Sequence, residues 1–268
     1  MSGAVPVSDP SVRSVSRALA LLTLFDDETP MRTLRDLIDS SELPKTTVLR
    51  LIQTLEQFGY LFERADGRYC LGPALIRLSR AVEQVWRLPV AADATMEGLR
   101  DQTNETVNLY VLEGRSRVCV AQKQGTQNIR YVVPIGLPLP LWAGASAKVL
   151  LADQGQKFVE RVLREGRKDA RFRQWFVDEL DRVRESGVAV SRGERDPAAA
   201  SVAAPIRGGD RTIAALAISG PVTRFTPDRV KELARTLNQA VERMQDSFPM
   251  MVDGEGAVSA WPVRSTAR

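Results

Sequence analysis

The chain has 268 residues, 44% apolar and 26% charged, with 37 Lys and Arg against 33 Asp and Glu, a net charge of +4. This length suits about two domains, and the composition is that of an ordinary globular protein. Histidine is absent, which removes Ser-His-Asp and Cys-His catalytic sets and every imidazole metal site.

The other chemistry-bearing signatures are missing too. Cys70 and Cys119 are too far apart for a zinc signature and read as reduced packing residues. No GxGxxG follows a strand, there is no GxxxxGK[ST], and no carboxylate pair stands out. The expectation is therefore no enzyme, no catalytic residue, no metal and no cofactor. No apolar run approaches the ~20 residues of a membrane span, and the polar start MSGAVPVSDPSVRS lacks the apolar core of a signal peptide. We expect a cytoplasmic protein without a membrane partner.

In chain order, residues 1–11 read as disordered. Val15 to Phe25 form a first helix with Ala18, Leu19, Leu22 and Phe25 on one face. Leu34, Leu37 and Ile38 then fall at i, i+3, i+4, with Thr33 and Asp36 spaced as a capping box. The cluster 39–42 breaks this helix, and Pro44 suits the first turn of the next. Val48, Leu51, Ile52, Leu55 and Phe58 make a second apolar stripe, ended by Gly59. Tyr60–Glu63 and Arg68–Leu71 read as strands around the turn signal Asp66-Gly67. Two short helices followed by a hairpin are the parts of a winged helix-turn-helix, which places its second helix in the DNA major groove.

Opposite that second stripe stand Lys45, Thr46, Thr47, Arg50 and Gln53, suited to bases and phosphates. Arg64 and Arg68 flank the hairpin tip, and Arg17 adds a further cation. Yet residues 1–72 carry eight Lys and Arg against ten Asp and Glu, a net of −2. Bulk charge does not drive binding. A local basic face, doubled in a dimer, must do so.

After Gly72-Pro73, the residues Leu75, Leu78, Val82 and Val85 recur at helical spacing up to Pro89 and read as a linker helix. Beyond it the pattern is α/β. Helices are expected over Ala92–Gln102, from about Ala143, and over Phe158–Leu163 and Phe172–Ser186. A last helix opens at Thr226-Pro227 and runs to about Gln245. Strands are expected at Val107–Leu112, Val118–Gln122, Ile129–Val133, Val188–Val190, Ser201–Ile206 and Thr212–Ser219. The tail from Asp253 reads as unstructured. Such an order suits a mixed or antiparallel sheet with helices on its faces.

The stretches SVSRALALL, LPKTTVLRLIQTLEQFGYL, DGRYCLGPALIRL, LPLWAGASAKVLLA, VAAPIR and ALAISGPVTRFT resemble the IclR family of bacterial transcription regulators. The likeness runs from about Ser14 to Ser247. It implies an α+β chain with an N-terminal winged helix-turn-helix (12–72), a linker helix (73–89), a C-terminal GAF-like α/β effector-binding domain (90–250) and a disordered tail (251–268). It further implies double-stranded operator DNA and a small organic effector as partners, and a homodimer or homotetramer.

By position, the resemblance carries the effector pocket onto Trp142, Ala145, Ser146, Ser191, Ser201, Ala217 and Ser219. The run Gly144-Ala145-Ser146-Ala147 opens a helix, and a helix N-terminus with small side chains favours an anion. That points to a carboxylate-bearing effector. The same small residues also suit close helix–sheet packing. The family's usual histidine is here Trp142, which fits either a pocket wall or a packing anchor. The expected function is a sequence-specific DNA-binding regulator, a repressor in preference to an activator, modulated by that effector. The alternative is a constitutive DNA-binding factor whose C-terminal domain is only an oligomerisation scaffold.

Overall fold

The structure, a computed structural model, describes residues 12–26, 28–85, 88–166, 169–245, 251–252 and 258–259. The expected disorder of residues 1–11 and most of the expected tail lie outside the described residues. The chain divides after Val85 into two compact units.

The first unit runs α1 (Arg13–Leu22), β1 (Met31–Arg32), α2 (Leu34–Ser41), α3 (Lys45–Gln57), β2 (Leu61–Glu63), β3 (Tyr69–Leu71) and α4 (Ala74–Val85). Its local rules are those of the sequence. Thr33 and Asp36 form the expected capping box, Asp36 N–H to Thr33 Oγ1 at 3.2 Å and Thr33 N–H to Asp36 Oδ2 at 2.8 Å. The end of α3 is a Schellman motif: Tyr60 N–H donates to Leu55 O and Gly59 N–H to Glu56 O, with Gly59 at φ +73°. Val48, Ile52 and Leu55 of α3 pack with Leu21, Phe25, Leu37, Leu61 and Tyr69 in one core. On α1 and the turn that follows it, Ala18, Leu21, Leu22 and Phe25 pack into this core, the i, i+3, i+4, i+7 set. The expected Leu19 lies off it and is exposed.

The hairpin turns at Asp66-Gly67, with Gly67 at φ +76°. The unforeseen β1 completes a three-stranded sheet by pairing Met31 with Cys70 and Arg32 with Tyr69. Gly72 lets the chain leave the wing: a Cβ there would stand 2.2 Å from the Gly59 carbonyl oxygen. Along α4, Leu75 is half-buried, while Leu78 and Val82 are exposed.

The second unit runs α5 (Val90–Thr103), β4 (Thr106–Glu113), β5 (Ser116–Lys123), β6 (Pro138–Pro140), α6 (Ala145–Ala152), α7 (Gln156–Glu165), α8 (Ala170–Ser186), β7 (Ala189–Arg192), β8 (Ala199–Gly208), β9 (Arg211–Pro221) and α9 (Pro227–Gln245). Its sheet has the order β6-β5-β4-β9-β8-β7, and every pairing is antiparallel. The two-residue period of a strand divides the side chains between two cores. Val107, Leu109, Val202, Ile206, Leu216 and Ile218 pack with α5 and α9 on one face. Tyr110, Cys119, Ala203, Ala215 and Ala217 pack with α6, α7 and α8 on the other.

Two expectations fail here. Residues 129–133 form no strand, because side chains claim their backbone acceptors: Arg224 Nη2 donates to Ile129 O at 3.0 Å and Gln122 Nε2 to Val133 O at 2.9 Å. The sheet edge is instead β6, where the prolines Pro138 and Pro140 are tolerated as they would not be in a central strand. Within the expected tail, two-residue strands β10 (Met251–Val252) and β11 (Val258–Ser259) pair antiparallel.

Candidate functional site

In the first unit, the turn between α2 and α3, with Glu42 at φ +55°, presents the N-terminal half of α3. Thr46, Arg50 and Gln53 fall at i, i+4, i+7 opposite the buried stripe and are exposed, as is Lys45, while Thr47 is half-buried. Among the described residues, Lys45 and Arg50 stand within salt-bridge distance of no carboxylate. The wing cations differ. Arg68 Nε and Nη2 donate to Asp66 Oδ2 at 2.9 and 2.7 Å, and Arg64 Nε lies 3.9 Å from Asp66 Oδ1. Those hydrogen bonds hold the Asp66 carboxyl below its ordinary range. Arg17 is half-buried on α1.

In the second unit, a cavity of about 40 Å³ lies between the sheet and the start of α6. It has room for roughly three water molecules, too little for a nucleotide without rearrangement. The strand register builds one wall: Ser191 on β7 faces Ser201 on β8, which faces Ser219 on β9. Ser191 and Ser219 are buried, as is Ser146 in the first turn of α6. Asn108 Nδ2 donates to Ser219 Oγ at 3.4 Å, and Gln122 Nε2 to Asn108 Oδ1 at 2.8 Å. The fold brings these four serines to one cavity.

Trp142, Ala145 and Ala217 are not on the cavity lining. Ala145 and Ala217 are fully packed in the core between sheet and α6. Trp142 lies against Gly166 at the end of α7, where a Cβ would meet its Cδ1 at 2.7 Å. Small side chains here serve close packing, and the tryptophan fills the gap beside a glycine.

Sequence reasoning missed the cavity's charged and aromatic groups: Tyr110, Arg117, Tyr131, Glu194, Arg195 and Asp196. Only parity pointed to Arg117, which shares a strand face with the buried Cys119. Glu194 also changes the reading of α6. Its Oε2 accepts from Gly144 N–H at 2.9 Å, so the protein's own carboxylate occupies the helix N-terminus. Its Oε1 takes Lys148 Nζ at 2.7 Å. Lys148, 1% exposed, also donates to Glu179 at 2.8 Å and Val190 O at 2.9 Å, and lies 4.8 Å from the Trp175 ring centre. Burial pushes the Cys119 thiol up to about 12, so it remains a protonated packing group. Among the described residues there is no cluster of three metal-ligating side chains, and no helix is long and apolar enough to cross a membrane.

Comparison with known proteins accounts for both units. Residues 14–64 match the IclR helix-turn-helix domain, and residues 81–245 match the C-terminal domain of the bacterial transcriptional regulator IclR. The chain is 30% identical to the HTH-type transcriptional regulator KipR of Bacillus subtilis over 235 residues, 85% of this chain and 94% of that protein. It is 27% identical to the transcriptional repressor IclR of Escherichia coli, covering 87% and 89% of the two chains. The fold is shared with an IclR homolog from Microbacterium hydrocarbonoxydans crystallised with 4-hydroxybenzoate, at TM-score 0.74 and 22% identity, covering 87% of this chain and 98% of that one. With its helix-turn-helix and its C-terminal domain both matched, the chain belongs to the IclR family and is a DNA-binding transcription regulator, not an enzyme.

Proposed function

We propose that this regulator is a repressor whose operator binding is modulated by a small carboxylate-bearing organic molecule held in the second unit. The observation that carries the effector is the buried polar lining of the cavity. Four serines and an arginine are directed to a space that packing alone would fill with apolar side chains. The relative crystallised with 4-hydroxybenzoate and the relative named as a repressor support the same reading.

On the DNA side, Lys45, Thr46, Thr47, Arg50 and Gln53 read the major groove, while Arg64, Arg68 and Arg17 contact the backbone. The first-unit surplus of acids makes a second copy necessary, because two modules double the phosphate contacts. A homodimer, or a tetramer built from it, also accounts for Leu19, Leu78 and Val82, which a single chain leaves exposed.

The test is fluorescence anisotropy on the DNA flanking the regulator's own reading frame. Arg50→Ala is expected to weaken specific binding by about 10- to 100-fold, the cost of one base contact, with an unchanged circular dichroism spectrum. Unchanged affinity at the same salt rejects the recognition-helix assignment. A carboxylate that changes the affinity of the wild type, with no effect of its amide, supports the effector.

A further inference from the structure

The cavity contains one buried cation that has no carboxylate within salt-bridge distance among the described residues. Arg117 is 4% exposed. Its Nη1 donates to the carbonyl oxygens of Pro140 and Ala143. Its Nε is buried and has no hydrogen-bond partner among the described residues. Its Nη2 lies beside Gly144, where a Cβ would come within 2.8 Å of it, so this glycine makes room for the guanidinium. Burial lowers its pKa to about 10, which leaves it cationic at neutral pH.

The nearby acids are engaged elsewhere. Glu194 is divided between Gly144 N–H and Lys148. Asp196 Oδ1 accepts from Ala198 N–H at 2.9 Å. The other cavity arginine, Arg195, donates to the Tyr131 hydroxyl. The contrast with Lys148 is instructive: that ammonium is equally buried but has two carboxylates within 2.8 Å. A buried charge whose hydrogen bonds go only to neutral carbonyls is costly, and the cost is relieved when an anion binds. The helix N-terminus offers no such seat, because Glu194 is already there.

Resting on the reading of this cavity as the effector site, we propose that Arg117 binds the effector's anionic head, and that the effector is a monocarboxylate with a compact body lying against Tyr110 and Tyr131. The Tyr110 ring centre is 5.7 Å from the Arg117 guanidinium, and the Tyr131 ring is as far from that of Arg195. One negative charge satisfies Arg117. A dicarboxylate or phosphate would leave a second charge facing Glu194 and Asp196, both on the cavity wall.

The experiment is calorimetric titration of the full chain with pyruvate, lactate, benzoate and 4-hydroxybenzoate, each paired with its amide. The samples are wild type, Arg117→Gln, Arg117→Lys and Glu194→Gln. At least one acid is expected to bind wild type and its amide not to. Arg117→Gln should weaken that acid by about 10- to 100-fold, the range for a lost charged hydrogen bond. Arg117→Lys, which keeps the charge and guards against a misfolded variant, should recover part of the loss. Glu194→Gln should retain binding. An acid that binds Arg117→Gln as tightly as wild type overturns the assignment and leaves the effector reading standing. An acid bound by wild type and lost in Glu194→Gln alone does the same. Binding of no acid to wild type overturns both, while anisotropy on the same sample still reports DNA binding.

Discussion

Arg224 donates to both carboxylate oxygens of Glu105, Nε to Oε1 at 2.6 Å and Nη2 to Oε2 at 2.7 Å, joining residues 119 apart in sequence. Glu105 is buried immediately before β4, and Arg224 is one-third exposed. A two-pronged guanidinium–carboxylate pair of this kind fixes geometry as well as charge. Gly220 on β9 makes it possible, because a Cβ there would fall 2.3 Å from Glu105 Oε2. Arg224→Ala leaves a buried carboxylate alone and is expected to cost about 3 kcal/mol. Glu105→Gln should cost less, since Arg224 reaches solvent. Urea denaturation checks the order. Equal small losses would show that the pair is structurally idle.

Lys148 presents the opposite hazard. Lys148→Met removes one buried cation from two carboxylates and is expected to destabilise the second unit by about 3 kcal/mol. Adding Glu194→Gln to Lys148→Met should restore part of that, giving a coupling of at least ~0.5 kcal/mol. Strict additivity in a double-mutant cycle would dissolve the network.

The acid limb of stability follows from Glu179. Burial pushes its carboxyl up, but hydrogen bonds from Lys148 and Arg182, with their charges, prevail and hold it below the ordinary 4.5. A carboxyl lowered in the folded state contributes stability that is complete above its unfolded value and disappears as pH falls through the folded one. Wild type should therefore lose its advantage over Glu179→Gln below about pH 4.5. A stability gap that stays constant through that window would assign the difference to packing.

Asp66 restrains the wing. Asp66→Asn keeps an acceptor for the Arg68 backbone N–H, 3.1 Å from Oδ1, and releases two guanidinium groups toward phosphate. DNA affinity at low salt is expected to rise by about 2- to 5-fold, with a steeper dependence on salt concentration. An unchanged salt slope would place the wing off the DNA.

Local rules made the first unit legible. The Thr33–Asp36 box, the Gly59 terminus and the Asp66-Gly67 turn are set by neighbours within a few residues, and each stands where the sequence puts it. In the second unit the helices and central strands could be read from periodicity. The edge strand β6 could not, because its prolines hide it. The cavity was half legible. Ser191, Ser201 and Ser219 converge through strand register and Ser146 joins them from the first turn of α6, positions that the resemblance supplied. The role of Glu194 was invisible and that of Arg117 was hinted at only by strand parity, since both depend on partners more than 20 residues away in sequence, at Pro140, Ala143 and Gly144.

The serine row also limits how this gene can change. Ser191, Ser201 and Ser219 align only because β7, β8 and β9 keep their pairing. Successive side chains in a strand point to opposite faces, so a single-residue insertion before Ser201 would turn it toward α5 and α9 and set Ala200 or the inserted residue in its place. Length changes at the Gly209-Asp210 tip leave the row untouched. Codon gains and losses should therefore accumulate at that tip among relatives that keep the serine row, and appear between Ala199 and Ile206 only where the row is lost.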